Sequence, residues 1–329
     1  MDYKKAGVDI DLERRGINAI TQILKKTYSL RKTYKPLEDF GSFASLVDFG
    51  DFALAISTDG VGSKVLVAQK LKKFDTIGID LVAMSVNDVL CVGAEPICMV
   101  DYVAMQMIDE NLMEEIGKGV YEGARKAKIS VVGGETATLP EILKGFGNAF
   151  DLVGTCIGVV RKERIVTGKE IRAGDFLIGI ESSGIHSNGL TLARKVLGEE
   201  IKLLTPTRIY VRPVLELLER VRVKGIAHIT GGGFLNLSRL GWGLEIHVPE
   251  PPYIFKEIQD RGDVETFEMY KTFNMGIGFC VVVSKRDVEE SLKVLCKYYK
   301  SHVLGRATEE KKIFLKNKNI ILKNDLTRF

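Results

Sequence analysis

The stretch from Phe52 to Lys64 constrains the fold most: an apolar run, Phe52-Ala-Leu-Ala-Ile-Ser-Thr58, ends in Asp59-Gly-Val-Gly-Ser-Lys64 and gives way to a helical pattern. A run rich in Ala, Ile and Leu predicts a strand covered on both faces. Gly60 and Gly62 let backbone come close to a ligand, and the next helix opens with free N–H groups and the positive end of its dipole. That combination suits a phosphate, and it equally suits a tight turn or helix cap at Asp59-Gly60. A Walker A loop is excluded, because that motif needs four residues between its first glycine and its Gly-Lys pair. At least three later segments repeat the plan of apolar strand, polar glycine-rich loop and helix. The expected class is therefore α/β, with α+β character in part.

In chain order, residues 12–28 predict a helix, with Ile17, Ile20, Ile23 and Leu24 at helical spacing. Residues 65–73 predict a short helix, and 80–92 one that is apolar nearly all round and hence buried, with Gly93 placed to end it. Asp80 and Asn87 stand seven apart on that helix and so share a face, while Asp88 is offset from them. A buried Asp88 needs a cation or donor beside it. Asp80 has the plainer reading of a helix N-cap.

A strand is expected at 97–104, a helix at 111–128 and a strand at 129–132. This last strand meets Gly133-Gly-Glu-Thr-Ala-Thr-Leu-Pro140, the second loop of the plan, where Glu135 directly follows a strand end. In an open α/β sheet that is where ligands bind. After a strand at 152–160, a charged segment puts the domain boundary near Thr167, giving domains 1–167 and 168–329. The third loop, Glu181-Ser-Ser-Gly-Ile-His-Ser-Asn-Gly189, follows a strand at 176–180. The fourth comprises Thr230, Gly231, Gly232 and Gly233, ahead of a short helix at 234–240. A helix is expected at 213–221, a strand at 273–283 whose glycines admit another group, a helix at 288–299 and a closing hairpin across Asn317-Lys318. His228, just before its loop, reads as a core histidine. His186, inside a loop, fits binding or acid–base work as well as structure.

The 329 residues and 45% hydrophobic content suffice for two cored domains. Forty-seven basic against 43 acidic residues, spread without blocks, give little support to nucleic-acid binding. Five cysteines without a C-x-x-C pair read as free thiols in a reducing compartment. With neither a signal peptide nor an apolar stretch of spanning length, the expectation is a soluble cytoplasmic protein.

Together the segments become specific. Tyr3-Lys-Lys-Ala-Gly-Val-Asp-Ile10, Ser57-Thr-Asp-Gly-Val-Gly-Ser-Lys64, the segment from Asp80 through Pro96, Gly133-Gly-Glu-Thr-Ala137, Ser182 to Gly189, Leu204-Thr-Pro-Thr-Arg-Ile-Tyr210, His228 to Gly233 and Phe273-Asn-Met-Gly-Ile-Gly278 occur in one order. In this the chain resembles the phosphoribosylformylglycinamidine cyclo-ligases (aminoimidazole ribonucleotide synthetases), of the superfamily that includes selenophosphate synthetase and thiamine-monophosphate kinase. The resemblance covers nearly the whole chain. It implies a homodimer whose N-terminal strands pair across subunits, leaving a groove for ATP and substrate, with a C-terminal α/β domain beside it. It also implies magnesium-dependent conversion of formylglycinamidine ribonucleotide and ATP into aminoimidazole ribonucleotide, ADP and phosphate. By position, Asp59, Asp88 and Glu135 match acids that hold the metal–nucleotide complex, and Lys64 matches a phosphate partner. Gly60, Gly62, Ser63, Asp80, Asn87, Gly133, Gly134, Thr230, Gly231 and Gly232 fall on the nucleotide-binding segments, and His186 and Asn188 on the catalytic, substrate side. The chain departs from the pattern at Thr138, where an acid is usual, at Ser42 and Ser45, where glycine-like residues are common, and in a minor way at Ser63. Two other readings stay open: a relative that phosphorylates another small molecule without ring closure, and a non-catalytic nucleotide-binding subunit.

Overall fold

The computed structural model describes residues 10–38, 40–145 and 147–323; the motif at 3–9 lies outside them. The chain opens with α1 (Ile10–Leu24), followed by a single 3-10 turn. Its helical spacing is as expected, yet Ile17, Ile20 and Ile23 are exposed.

The first sheet comprises β1 (Ser45–Phe49), β2 (Phe52–Gly60), β3 (Glu95–Met105), β4 (Ser130–Thr138) and β5 (Phe150–Arg161). Its spatial order is β1-β2-β5-β3-β4, antiparallel except for the β3–β4 pair. Between these strands run α2 (Lys64–Leu71), α3 (Ile77–Leu90) and α4 (Glu110–Ala127). The inner face of the sheet carries Ala53, Ala55, Leu152 and Cys156, all fully buried, and α3 packs onto it. Every residue of α3 is buried except Asp88, as a helix apolar all round requires. Helix α4 crosses α3 at glycines: a Cβ at Gly78 would meet Val120 N at 2.4 Å, and one at Gly119 would meet Asp75 O at 2.5 Å. Only glycine permits that approach. Asp109 caps α4 by accepting a 3.1 Å bond from Leu112 N–H.

The second sheet holds β6 (Phe176–Glu181), β7 (Val223–His228), β8 (Gly243–Ile246), β9 (Ile277–Val283), β10 (Ser301–Thr308), β11 (Lys312–Leu315) and β12 (Ile320–Lys323). Their order is β12-β11-β8-β10-β6-β9-β7, and only β8–β11 is parallel. Around it lie α5 (Leu190–Leu197), α6 (Val211–Arg220), α7 (Tyr253–Gly262), α8 (Thr266–Thr272) and α9 (Val288–Leu295). Strand β9, between β6 and the edge strand β7, is buried along its whole length. Gly278 in it is a close-approach glycine, since a Cβ there would sit 2.2 Å from the Tyr210 hydroxyl and 2.5 Å from the His186 ring. Helix α3 also reaches α6 and β7, so it is the wall shared by the two halves.

One expected loop is not a loop. Residues 133–138 continue β4, pairing with β3 from Val100↔Gly133 through Met105↔Thr138. The glycines read as a strand terminator, but the ladder to β3 continues past them after a bulge. Among the described residues no layer covers the outer face of this first sheet, which carries Leu54, Ile56, Val100, Tyr102, Ile157 and Val159, and Val100 and Tyr102 are each 37% exposed. Among the described residues no helix is long and apolar enough to cross a membrane.

Candidate functional site

The site is built where the end of β2, the helix α3 and two loops of the second half meet. Asp59 is the penultimate residue of β2. The inward register that buries Ala53, Ala55 and Ser57 turns it toward α3, and its carboxylate accepts a 2.7 Å bond from Gly60 N–H. Burial, and then repulsion from Asp88, push the Asp59 carboxyl up to about 6, while His228 pulls it down. Asp88 has the donor its position demands: His228 Nδ1 lies 2.9 Å from Asp88 Oδ1, and Ser57 Oγ donates to Oδ2 at 3.5 Å. His228 is fully buried, as a core histidine should be, yet its Nε2 has no partner.

Glu135 does not join these acids. Its register opposite Tyr102 and Val153 turns it to the outer face of the sheet, away from α3. Gly133 and Gly134 go with it, into the exposed strand β4 rather than a ligand loop. Among the described residues no three His, Cys, Asp or Glu side chains gather to hold a metal.

Lys64, expected beside a phosphate, points inward. Its ammonium lies 2.8 Å from Asp80 Oδ2, with both side chains at 0% exposure, and donates to the carbonyls of Thr205 (2.7 Å) and His186 (3.3 Å). All its donors are directed at protein, so in this conformation it faces no ligand. Asp80 is likewise not a cap, because the helix starts at Ile77 with Thr76 ahead of it. Asp80 Oδ1 accepts from Thr207 N–H (2.7 Å), Thr207 Oγ1 (2.6 Å) and Ser187 Oγ (3.0 Å). Asn87, on the same face two turns on, donates to Arg208 O at 2.8 Å and accepts from Tyr210 N–H at 3.0 Å. The expected common face exists, but it binds the segment 205–210 of the second half instead of a nucleotide.

His186 has φ +60° and is wholly buried. Its Nε2 accepts a 3.2 Å bond from Ser183 N–H, and Nδ1 has no partner. Burial, followed by the charges of His228, Lys64 and Arg208, holds its pKa well below the usual value. The ring is enclosed by protein on all sides and shapes the loop, presenting no exposed atom in this conformation. Asn188 lies nearer the opening: its amide oxygen would be 3.3 Å from a Cβ at Gly231, and its buried Nδ2 has no partner. The loop at Thr230, Gly231 and Gly232 is held by Asn236, whose amide donates to Gly231 O and Gly233 O, each at 2.9 Å. Gly62 is exposed, and Ser63 Oγ lies 3.3 Å from Thr191 Oγ1 on α5. The loop 59–64, the loop 182–189 and the loop 230–233 thus adjoin one another, with Asp59 in the first and Asp88 bonded to His228 just before the last.

Sequence reasoning assigned no role to Thr207, Ser187 or Arg239. The signal for the first two was an ionisable Asp80 within an apolar helix, which requires partners from elsewhere; for Arg239 it was a lone cation in the apolar run 234–240.

Two family models match the chain, "AIR synthase related protein, N-terminal domain" over residues 41–160 and "AIR synthase related protein, C-terminal domain" over 172–318. The phosphoribosylformylglycinamidine cyclo-ligase of Thermococcus kodakarensis is 51% identical, covering 98% of this chain and all of that one. Its counterpart from Methanocaldococcus jannaschii is 50% identical over 93% of this chain and 92% of its own. Among solved structures, AaThiL complexed with AMPPCP and TMP has the same fold at TM-score 0.65 and 17% identity, covering 93% of this chain and 94% of that one. The hydrogenase maturation protein HypE in complex with ATP follows at TM-score 0.62 and 18% identity, with 82% and 83% covered. The chain belongs to the phosphoribosylformylglycinamidine cyclo-ligase family of AIR synthase related proteins.

Proposed function

We propose that this protein is an ATP-dependent cyclo-ligase that closes formylglycinamidine ribonucleotide to aminoimidazole ribonucleotide, with release of ADP and phosphate, in purine biosynthesis in the cytoplasm. The observation that carries the reading is the Asp59–Asp88 pair: two carboxylates set close enough to repel, one pushed up to about 6, beside three polar loops. Two carboxylates that repel each other favour a cation between them, and hard oxygen donors fit magnesium. Asp59 and Asp88 would hold it, and when bound it supplies charge neutralisation for phosphates. Family membership supports ATP as the phosphoryl donor.

An amide carbonyl is a poor electrophile and its oxygen leaves poorly. Phosphorylating that oxygen makes it a leaving phosphate, and a nitrogen of the same molecule then attacks the carbon. The protein supplies position: bringing two ends of one substrate together is worth up to about 7–11 kcal/mol in favourable intramolecular cases. The loops 59–64, 182–189 and 230–233 enclose the reacting region, the exposed backbone at Gly62 offers its N–H to phosphate oxygens, and Asn188 Nδ2 is a free donor for the ribonucleotide. No side chain is required as a nucleophile, and none is assigned.

The division falls at Thr167, in the segment between β5 and β6. The working form is a homodimer: the uncovered outer face of the first sheet meets its copy, and Glu135, stranded on that face, belongs to the groove between subunits. Incubation with ATP, magnesium and formylglycinamidine ribonucleotide, followed by product identification, tests the reading. Formation of ADP without aminoimidazole ribonucleotide would replace it with a kinase.

A further inference from the structure

We propose that Arg239 is a phosphate anchor, holding the phosphate monoester of the ribonucleotide in a cavity beside the loop that carries Gly41 and Ser42. The cavity, of about 260 Å3, is lined by Glu38, Gly41, Ser42, Thr167, Lys169 and Arg239, with Leu37 and Phe40 beside them. A smaller one shares Ser42, Thr167 and Arg239 and reaches Cys91, three residues beyond Asp88. The guanidinium carbon of Arg239 stacks 4.5 Å from the centre of the Phe43 ring. Its Nε is shut away from water without a hydrogen-bond partner, and no described carboxylate forms an ion pair with it. Nearby acids are committed elsewhere: Glu38 accepts from Lys169 at 2.9 Å and from Ser42 Oγ at 3.2 Å, and Asp88 is bonded to His228.

A half-enclosed cation with no hydrogen-bonded carboxylate among the described residues is costly to keep, and burial already lowers its proton affinity. Its planar fork, stacked on one face and open at its edge, matches two oxygens of a phosphate. The Thr167 hydroxyl adds a donor to the same space, and the Lys169–Glu38 ion pair lies at its rim, where a phosphate would compete with Glu38 for the ammonium. Asp88 is near enough to feel the charge of Arg239, so a ligand gripped by its phosphate here lies within reach of the Asp59–Asp88 pair. The ribonucleotide identity of the ligand rests on the function proposed above; the anion site does not.

The test uses the full-length protein with inorganic phosphate as probe, comparing the native sequence with Arg239→Gln and Arg239→Lys. In phosphate-free buffer Arg239→Gln should unfold at or above the native temperature, since it removes an unpaired buried charge. The rise in unfolding temperature caused by phosphate should vanish in Arg239→Gln and be partial in Arg239→Lys. In turnover, KM for formylglycinamidine ribonucleotide should rise roughly 10- to 100-fold in Arg239→Gln, as loss of a charge-assisted pair implies, with kcat and the KM for ATP little changed. An undiminished phosphate response in Arg239→Gln overturns the site. A fall in stability with that response intact reduces Arg239 to packing against Phe43. A rise in the KM for ATP instead would transfer the anchor to the nucleotide and overturn the ribonucleotide assignment. Phosphate binding through Arg239 in a protein that turns over no formylglycinamidine ribonucleotide would sink the functional reading while leaving the anion site standing.

Discussion

Lys64 and Asp80 form an ion pair at 2.8 Å with neither side chain reaching solvent, and the same ammonium grips the carbonyls of His186 and Thr205. Lys64 and Asp80 belong to the first half of the molecule, at the end of loop 59–64 and on α3, and the two carbonyls belong to the second half. Burial pulls the Lys64 ammonium down and Asp80 holds it up, so removing one partner leaves an uncompensated charge in the interior.

Lys64→Met should therefore lower unfolding free energy by about 3–5 kcal/mol, read by urea denaturation. Adding Asp80→Asn to it should restore part of the loss, because the orphaned carboxylate is then gone. A lysine that only contacted phosphate would behave differently: Lys64→Met would keep its stability and lose affinity for ATP.

His186 supplies the pH dependence. Its folded pKa lies well below the ordinary 6.5 because burial disfavours the imidazolium. Above about 6.5 neither the folded nor the unfolded state binds a proton there, and stability is unaffected. As pH falls below 6.5 the unfolded chain takes the proton first, and stability declines by up to about 1.4 kcal/mol per pH unit from this group. His186→Gln should flatten that acid slope between pH 6.5 and 5 while being less stable at neutral pH, and kcat of the folded variant should stay within a few-fold. A loss of turnover by orders of magnitude at unchanged stability would return His186 to the chemistry.

Much of this arrangement was legible before any coordinates, and the misses share a cause. The buried α3 and the common face of Asp80 and Asn87 follow from periodicity within one element, and Gly93, at φ +78°, takes the left-handed turn just past the helix end at Leu90. The partners of that face do not, because Thr207, Arg208 and Tyr210 lie more than 120 residues away, and spacing along a helix carries no information about them. Residues 133–138 were misread for a related reason. Local composition favours a loop, whereas the strand is imposed by hydrogen bonds to β3. Once β4 continues through Glu135, the period of two turns that carboxylate to the face opposite Asp59.

The uncovered sheet face gives a prediction on assembly. Light scattering at micromolar concentration should give about twice the 36.5 kDa chain mass, since an apolar face of this kind marks an interface. Val100→Glu, on the outer face, should yield monomers with the fold retained by circular dichroism and with turnover lost. A fully active monomer would refute the shared groove.

The last prediction separates the three acids. Asp59→Asn and Asp88→Asn each remove a negative ligand while nearly keeping size. In magnesium-free buffer Asp59→Asn should melt at or above the native temperature, because burial and Asp88 already disfavour its ionised form. Asp88→Asn loses the charge-assisted bond to His228 and should be modestly less stable, by about 1–2 kcal/mol. Both should lose turnover by several orders of magnitude, and with it the stabilisation that magnesium and ATP confer together. Glu135→Gln tests the subunit groove: it should leave the melting temperature unchanged, as an exposed residue on β4, and still reduce turnover. If Glu135 serves a groove completed by the partner, mixing inactive Glu135→Gln with inactive Asp59→Asn subunits should restore activity, because some heterodimers regain one intact groove. No recovery after subunit exchange, shown by mass measurement to be complete, would put Glu135 outside the working site or confine the site to one chain.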